Sequence, residues 1–170
     1  MKRFGLTLLC LVTLAKAQAE TRIAVLDFEL NDITSLPNTP AERQRTATMA
    51  PLLIETLKRS GEYRLVPVPT EQQQVANGSF GYLFRHPEEA AKLARQLDAD
   101  WLVLGQHSKP SYLFSYLWVY LVDVKAGKVT ARYDIELKGN HAKVTQHAIE
   151  ALANKIGVNL TGRQITSGKQ

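Results

Sequence analysis

The chain has 170 residues, 45% of them hydrophobic, with 21 Lys and Arg against 16 Asp and Glu. Residues 1–19 hold three of those cations (Lys2, Arg3, Lys16), none of the acids and the single cysteine, Cys10. The remainder carries about +2, too little and too dispersed for a groove that tracks nucleic-acid phosphates, and has no thiol for disulfide or redox chemistry.

The first element is a targeting segment. Lys2 and Arg3 precede an apolar run from Phe4 to Ala15, and Ala17-Gln18-Ala19 supplies small residues two apart before Glu20. This is the layout of a secretory signal peptide, and the run is too short to span a bilayer. The expected organisation is a signal peptide at 1–19, one α/β domain at 20–157 and a polar tail at 158–170. The exported chain then has no stable membrane span and is periplasmic.

Ile23-Ala24-Val25-Leu26 reads as a strand buried on both faces, continuing through Asp27 and Phe28 into a polar stretch from Asn31 to Asn38. Thr39-Pro40-Ala41-Glu42 is a helix start: Thr39 can cap, Pro40 suits the first turn and Glu42 can reach back to the cap. Met49, Leu53 and Leu57 continue one apolar stripe to Ser60, and Gly61 supplies the stop. Pro51 lies inside the stripe, which predicts a kink or two abutting helices. Tyr63 to Val68 is a short strand closed by prolines, residues 70–76 a helical turn and Asn77–Gly81 a loop. A second helix starts at His86, read as its cap, with Leu93, Ala94 and Leu97 on one face. Trp101–Gly105 is a buried strand, Tyr112–Val124 and Val129–Lys138 form a long hairpin, and His141–Ile156 is a final helix.

The early strand–helix alternation implies parallel pairing with right-handed crossovers, and the hairpin adds antiparallel strands at one edge. The expected fold class is therefore α/β: a mixed five-stranded sheet in the order second, first, third, fourth, fifth, with helices packed on it. Lys125-Ala126-Gly127 reads as a three-residue loop with a left-handed glycine. It pairs Val124 with Lys128, Leu121 with Ala131 and Val119 with Tyr133, whereas a two- or four-residue loop would bury the aromatics of the first hairpin strand beside Tyr133 and Ile135.

That register places Leu117, Val119 and Leu121 in the core. Tyr112, Phe114, Tyr116, Trp118 and Tyr120 then share the opposite face beside Arg132, Asp134 and Glu136, because side chains alternate along a strand. These aromatics with Arg132 form a candidate partner-binding face, since Tyr and Trp combine large apolar area with a polar edge. A covering helix would instead make them core.

Chemistry is sparse. No Gly-x-Ser-x-Gly elbow or phosphate-binding glycine loop occurs. His86, His107, His141 and His147 lack second ligands at metal spacing, so neither a metal nor a cofactor is expected. Asp27, Glu29 and Asp32 follow the first strand, where open parallel sheets bind ligands, and with His107 they form a possible ligand site.

Three segments carry a resemblance: Ile23-Ala24-Val25-Leu26-Asp27-Phe28, Ala99 to Gly105, and Lys109-Pro110-Ser111 before a hairpin ending in Lys138-Gly139-Asn140. The architecture resembles the periplasmic domain of the curli-export lipoprotein and the amino-terminal domain of the TolB translocation protein. More narrowly, the chain resembles a family of small secreted bacterial proteins of unknown function. The resemblance covers residues 22 to about 156. It implies that Asp27 and Gly105 are turn and packing positions, and it supplies no catalytic residue. Together these readings give a non-catalytic envelope binding or assembly module acting on a protein partner. The alternative is a small-ligand or metal-dependent periplasmic enzyme using the acids after the first strand.

Overall fold

A computed structural model describes residues 20–139 and 142–161. The expected signal peptide lies outside the described residues.

The first strand forms in two pieces, β1 (Thr21–Val25) and β2 (Glu29–Asp32). Both pair in parallel with a later strand, β4 (Trp101–Lys109). Val25 lies opposite Val103 and Glu29 opposite Gln106, so Leu26, Asp27 and Phe28 face only Leu104 and Gly105. One extra residue in a ladder is a bulge. It explains why the polar stretch after Phe28 turns out to be partly strand: β4 continues to Lys109 and gives β2 a partner.

Helix α1 (Pro40–Arg59) begins as its sequence indicates, with Thr39 Oγ1 accepting from the Glu42 amide at 3.4 Å. The helix is continuous through Pro51, whose ring lies on the exposed side. Strand β3 (Tyr63–Val66) stops at Pro67, and α2 (Thr70–Asn77) follows. A short helix, α3 (Tyr82–Arg85), precedes α4 (Pro87–Gln96). His86 occupies the α4 cap position but makes no capping bond; its ring instead meets Glu88. The hairpin is β5 (Phe114–Asp123) and β6 (Lys128–Lys138), and α5 (Ala142–Thr161) closes the described chain. Helix α5 runs through Gly157 rather than ending there. Gly157 is buried within the helix.

The sheet has six strands in the order β3-β1-β4-β5-β6, with β2 beside β4. The expected spatial order and mixed pairing hold, with β2 the additional strand. The body of the hairpin keeps the expected register: Leu121 opposite Ala131, Val119 opposite Tyr133, Leu117 opposite Ile135. Near the turn the pairing differs. Asp123, not Val124, faces Lys128, so the loop holds four residues. The shift between Leu121 and Val122 leaves Thr130 as an extra residue that restores the register, and its hydroxyl donates to the Leu121 carbonyl at 3.1 Å. Gly127 is left-handed at φ 64°.

Helices α1 and α5 cover one sheet face. Met49, Leu53, Leu57, Ile149, Leu152 and Ile156 pack there on Val103, Leu117, Val119 and Leu121. On the other face Leu83, Ala90, Ala91, Leu93 and Ala94, from α3 and α4, pack on Ala24, Leu26, Leu102, Leu104 and Val122. This second layer does not extend across the middle of the hairpin.

Candidate functional site

The aromatic row forms because β5 alternates strictly, its even positions facing away from α1 and α5. Its cover is graded. Phe84 of α3 stacks on Tyr120 at 4.3 Å between centroids, and the Arg132 guanidinium lies 5.1 Å from that ring. Tyr120 is thus half-buried. Trp118, opposite Asp134, is 38% exposed; Tyr116 faces Glu136, and Phe114, opposite Lys138, meets Tyr116 edge-on at 5.8 Å. Neither pure alternative applies: a helix covers the Tyr120 end and leaves Trp118 and Phe114 open.

Tyr112 departs from the expected row. It precedes β5, and its hydroxyl accepts from the Leu36 amide at 2.9 Å and bonds Ser35 Oγ at 2.8 Å. Those bonds direct its ring to the loop before α1, and they hold the phenol below its usual pKa. Alternation governs a residue only while it lies in the strand, and Lys109-Pro110-Ser111 ends that regime.

The acids after the first strand do not converge. Asp27 is exposed, and its backbone is clamped by Gln73, which accepts from the Asp27 amide at 2.9 Å and donates to its carbonyl at 3.0 Å. Glu29 points to the α3 side, where its carboxylate accepts from the Gly81 amide at 2.9 Å and from Asn77 at 2.7 Å. The space beside these two is about 10 Å³, the room of roughly one water. Asp32 lies on the opposite sheet face with His107. Among the described residues no three His, Cys, Asp or Glu side chains gather as a metal site.

Asp32 and His107 belong to a buried polar cluster under the first turns of α1. Asp32 accepts from Thr34 and from the Asn38 amide. Burial pushes its carboxyl up, but those bonds and Lys109 prevail and hold it below the usual carboxylate range. Lys109 Nζ lies 3.1 Å from Glu42 Oε1 and 3.9 Å from Asp32 Oδ2. Arg45 Nη1 lies 3.8 Å from Glu42 Oε2, while its other nitrogens donate to Thr145 Oγ1 at 2.9 Å and the Gly139 carbonyl at 3.0 Å. Two acids thus face two cations, the condition for burying them together. Glu42 was expected to close the helix cap; the cations draw it inward instead.

His107 is fully buried between Thr46 Oγ1 and Ser115 Oγ, each 2.8 Å from one ring nitrogen. The Thr46 hydroxyl donates to the Glu42 carbonyl at 2.9 Å. Its single proton is thereby used, so Nδ1 carries the ring hydrogen and Nε2 accepts from Ser115. Burial, reinforced by Arg45, pushes the imidazole pKa down to about 4. A neutral, enclosed ring is a packing element that joins α1 to β4 and β5.

The sequence reading missed Glu42, Arg45, Lys109, Ser115 and Thr145. A signal was present. Glu42 and Thr46 precede Met49, Leu53 and Leu57 on the inward stripe of α1, and Lys109 continues the inward alternation Val103, Gly105, His107 on β4. Polar residues in phase with a core face announce a buried network.

Among solved structures, the chain is similar to TolB from Acinetobacter baumannii, with TM-score 0.52 and 15% identity over 85% of this chain and 29% of that one. It is similar to a PelC dodecamer subunit from Paraburkholderia phytofirmans, with TM-score 0.51 and 17% identity over 84% and 89%. The LpoB C-terminal domain from Salmonella enterica gives TM-score 0.49 and 17% identity over 73% and 87%. At these identities the TolB and PelC matches show a shared fold. No curated protein sequence matches. Residues 21–156, from the first residue of β1 into the last turns of α5, match the model of DUF3280, "Protein of unknown function (DUF2380)", and the chain belongs to that family.

Proposed function

We propose that the protein is a non-catalytic assembly module of the bacterial envelope, exported by its N-terminal signal peptide and acting through protein–protein contacts. The observation that carries the reading is the open part of the aromatic row. Trp118 and Phe114 are exposed on a sheet face with half-buried Tyr116 between them, beside Asp134 and Glu136 and with Arg132 at the half-covered end. Aromatic and Arg side chains ringed by charges are the anchors of protein interfaces. Two further facts support it. Asp27 and Glu29 are separated from Asp32 and have room for about one water beside them, which weighs against the enzyme alternative. PelC, of the same fold, is described as a dodecamer, so the fold accommodates assembly.

The test is a pull-down from envelope extract with the chain starting at Glu20, comparing wild type with Trp118→Ala. Loss of a captured protein, by about 2 kcal/mol or more in affinity as for an interface anchor, with unfolding nearly unchanged, supports the reading. Equal capture by both forms overturns the role of Trp118.

A further inference from the structure

A second exposed surface lies beyond the aromatic row, at the end of the sheet where β2 and β4 finish. Two loops meet there, residues 33–38 before α1 and residues 110–113 before β5. Ile33 is 71% exposed, Leu36 68% and Leu113 78%, and Tyr112 and Phe114 adjoin them. Such a concentration of large aliphatic side chains in solvent calls for a covering phase.

The loops are fixed in place. The Ile33 amide donates to the Lys109 carbonyl at 3.2 Å, Tyr112 Oη joins both loops through Ser35 and Leu36, and the Gly139 amide donates to the Leu113 carbonyl at 3.1 Å. Each bond uses backbone or the phenol oxygen and leaves the aliphatic groups pointing outward. The surrounding charge has one dominant sign. Arg43 in the first turn of α1, Lys138 opposite Phe114 and Lys143 in the first turn of α5 are all exposed. The acid on that rim is Glu136, 3.6 Å from Lys138 Nζ. Asp32 and Glu42, the other acids nearby, are buried against Lys109 and Arg45.

We propose that this tip docks on an anionic phospholipid surface. Ile33, Leu36 and Leu113 enter the acyl boundary while Arg43, Lys138 and Lys143 stay at headgroup level. The aliphatic content favours this over protein docking: Leu is under-represented among protein-interface anchors, whereas exposed aliphatic side chains rimmed by Lys and Arg suit interfacial binding to anionic lipid. Among the described residues no helix is long and apolar enough to cross a membrane.

The test uses the chain from Glu20 onward, which carries all six strands and both core layers. Wild type, Leu36→Ser/Leu113→Ser and Trp118→Ala are sedimented with phosphatidylglycerol-rich vesicles and with phosphatidylcholine vesicles. Expected is binding of wild type and Trp118→Ala to the anionic vesicles. The double variant should lose at least about tenfold in partitioning, with an unchanged unfolding midpoint, and about 0.5 M salt should release the wild type. Retention of Trp118→Ala separates this surface from the partner row. No binding by wild type, equal binding by the double variant, equal binding to both lipids, or a Leu36- and Leu113-dependent dimer without vesicle binding would each overturn the proposal.

Discussion

The ring of Phe28 occupies the space above Gly105 where a side chain would stand: a Cβ at residue 105 would lie 2.4 Å from Phe28 Cε1 and Cζ. The bulge between β1 and β2 turns Phe28 onto the α1 face, and the missing side chain on β4 gives its ring a seat. Gly105→Ala should therefore cost about 2–3 kcal/mol, the range of overpacking in a tight core. Pairing it with Phe28→Leu should recover part of that loss, because neighbours sharing one space are non-additive. Urea unfolding of the two single variants and the double variant checks this; additive losses would refute the steric account.

His107 sets an acid sensitivity whose sign follows from its depressed pKa. Between its ordinary pKa of 6.5 and the folded value of about 4 the unfolded chain binds the extra proton. The stability supplied by the neutral ring is therefore full above 6.5 and is lost as pH falls toward 4. At about 1.4 kcal/mol per pKa unit, the loss reaches about 3 kcal/mol. Asp32 and Asp100, both held below the usual carboxylate range, act in a lower window, below about 3.8. Urea midpoints from pH 7.5 to 4 should slope downward in wild type and flatten in His107→Gln.

Lys109 is the cation shared by two buried acids. Lys109→Met leaves Glu42 with only Arg45, at 3.8 Å, and should cost about 3–5 kcal/mol, as when one partner of a buried pair is removed. Adding Glu42→Gln removes the stranded charge and should restore a substantial part. Thermal unfolding at neutral pH measures both, and a double variant no better than Lys109→Met would count against charge pairing as the cause.

Gly127 tests backbone conformation alone. Its φ is 64° and an added Cβ meets nothing within 4 Å. Gly127→Ala should cost about 1 kcal/mol, with the hairpin register kept. Wild-type stability in denaturant would mean that the turn relaxes to another form.

Short-range chemistry accounts for the parts of the fold that were legible in the sequence. Strand–helix alternation gave the spatial order, Thr39 gave the start of α1, and the pattern of β5 and β6 gave which face Leu117, Val119 and Leu121 bury. What escaped depends on distant partners. The register near Gly127 turned on Thr130, which has no turn-residue signature. Strand β2 exists because β4 extends beyond Gly105, and Asn31 and Asp32 have no strand propensity to announce it. The polar cluster joins Arg45 to Thr145, a hundred residues apart, and Thr46 to His107. The candidate site followed the same division. Trp118 and Tyr116 could be placed by alternation, whereas Tyr112 left the row for a hydrogen bond to a loop far back in the chain.

The unequal cover of the two sheet faces makes the molecule thick on one side and thin on the other. Around β3, β1 and β4 the sheet is sandwiched between helices, while the middle of the hairpin rests on α1 and α5 alone. Local opening is cheapest where fewest apolar groups must be re-wetted. The outer strand β6, with Arg132, Asp134 and Glu136 in solvent, can therefore loosen while the sandwiched half stays folded. Trp118 and Tyr116, on the neighbouring interior strand β5, face the thinly covered side, so a partner reaches them across one strand without displacing a helix.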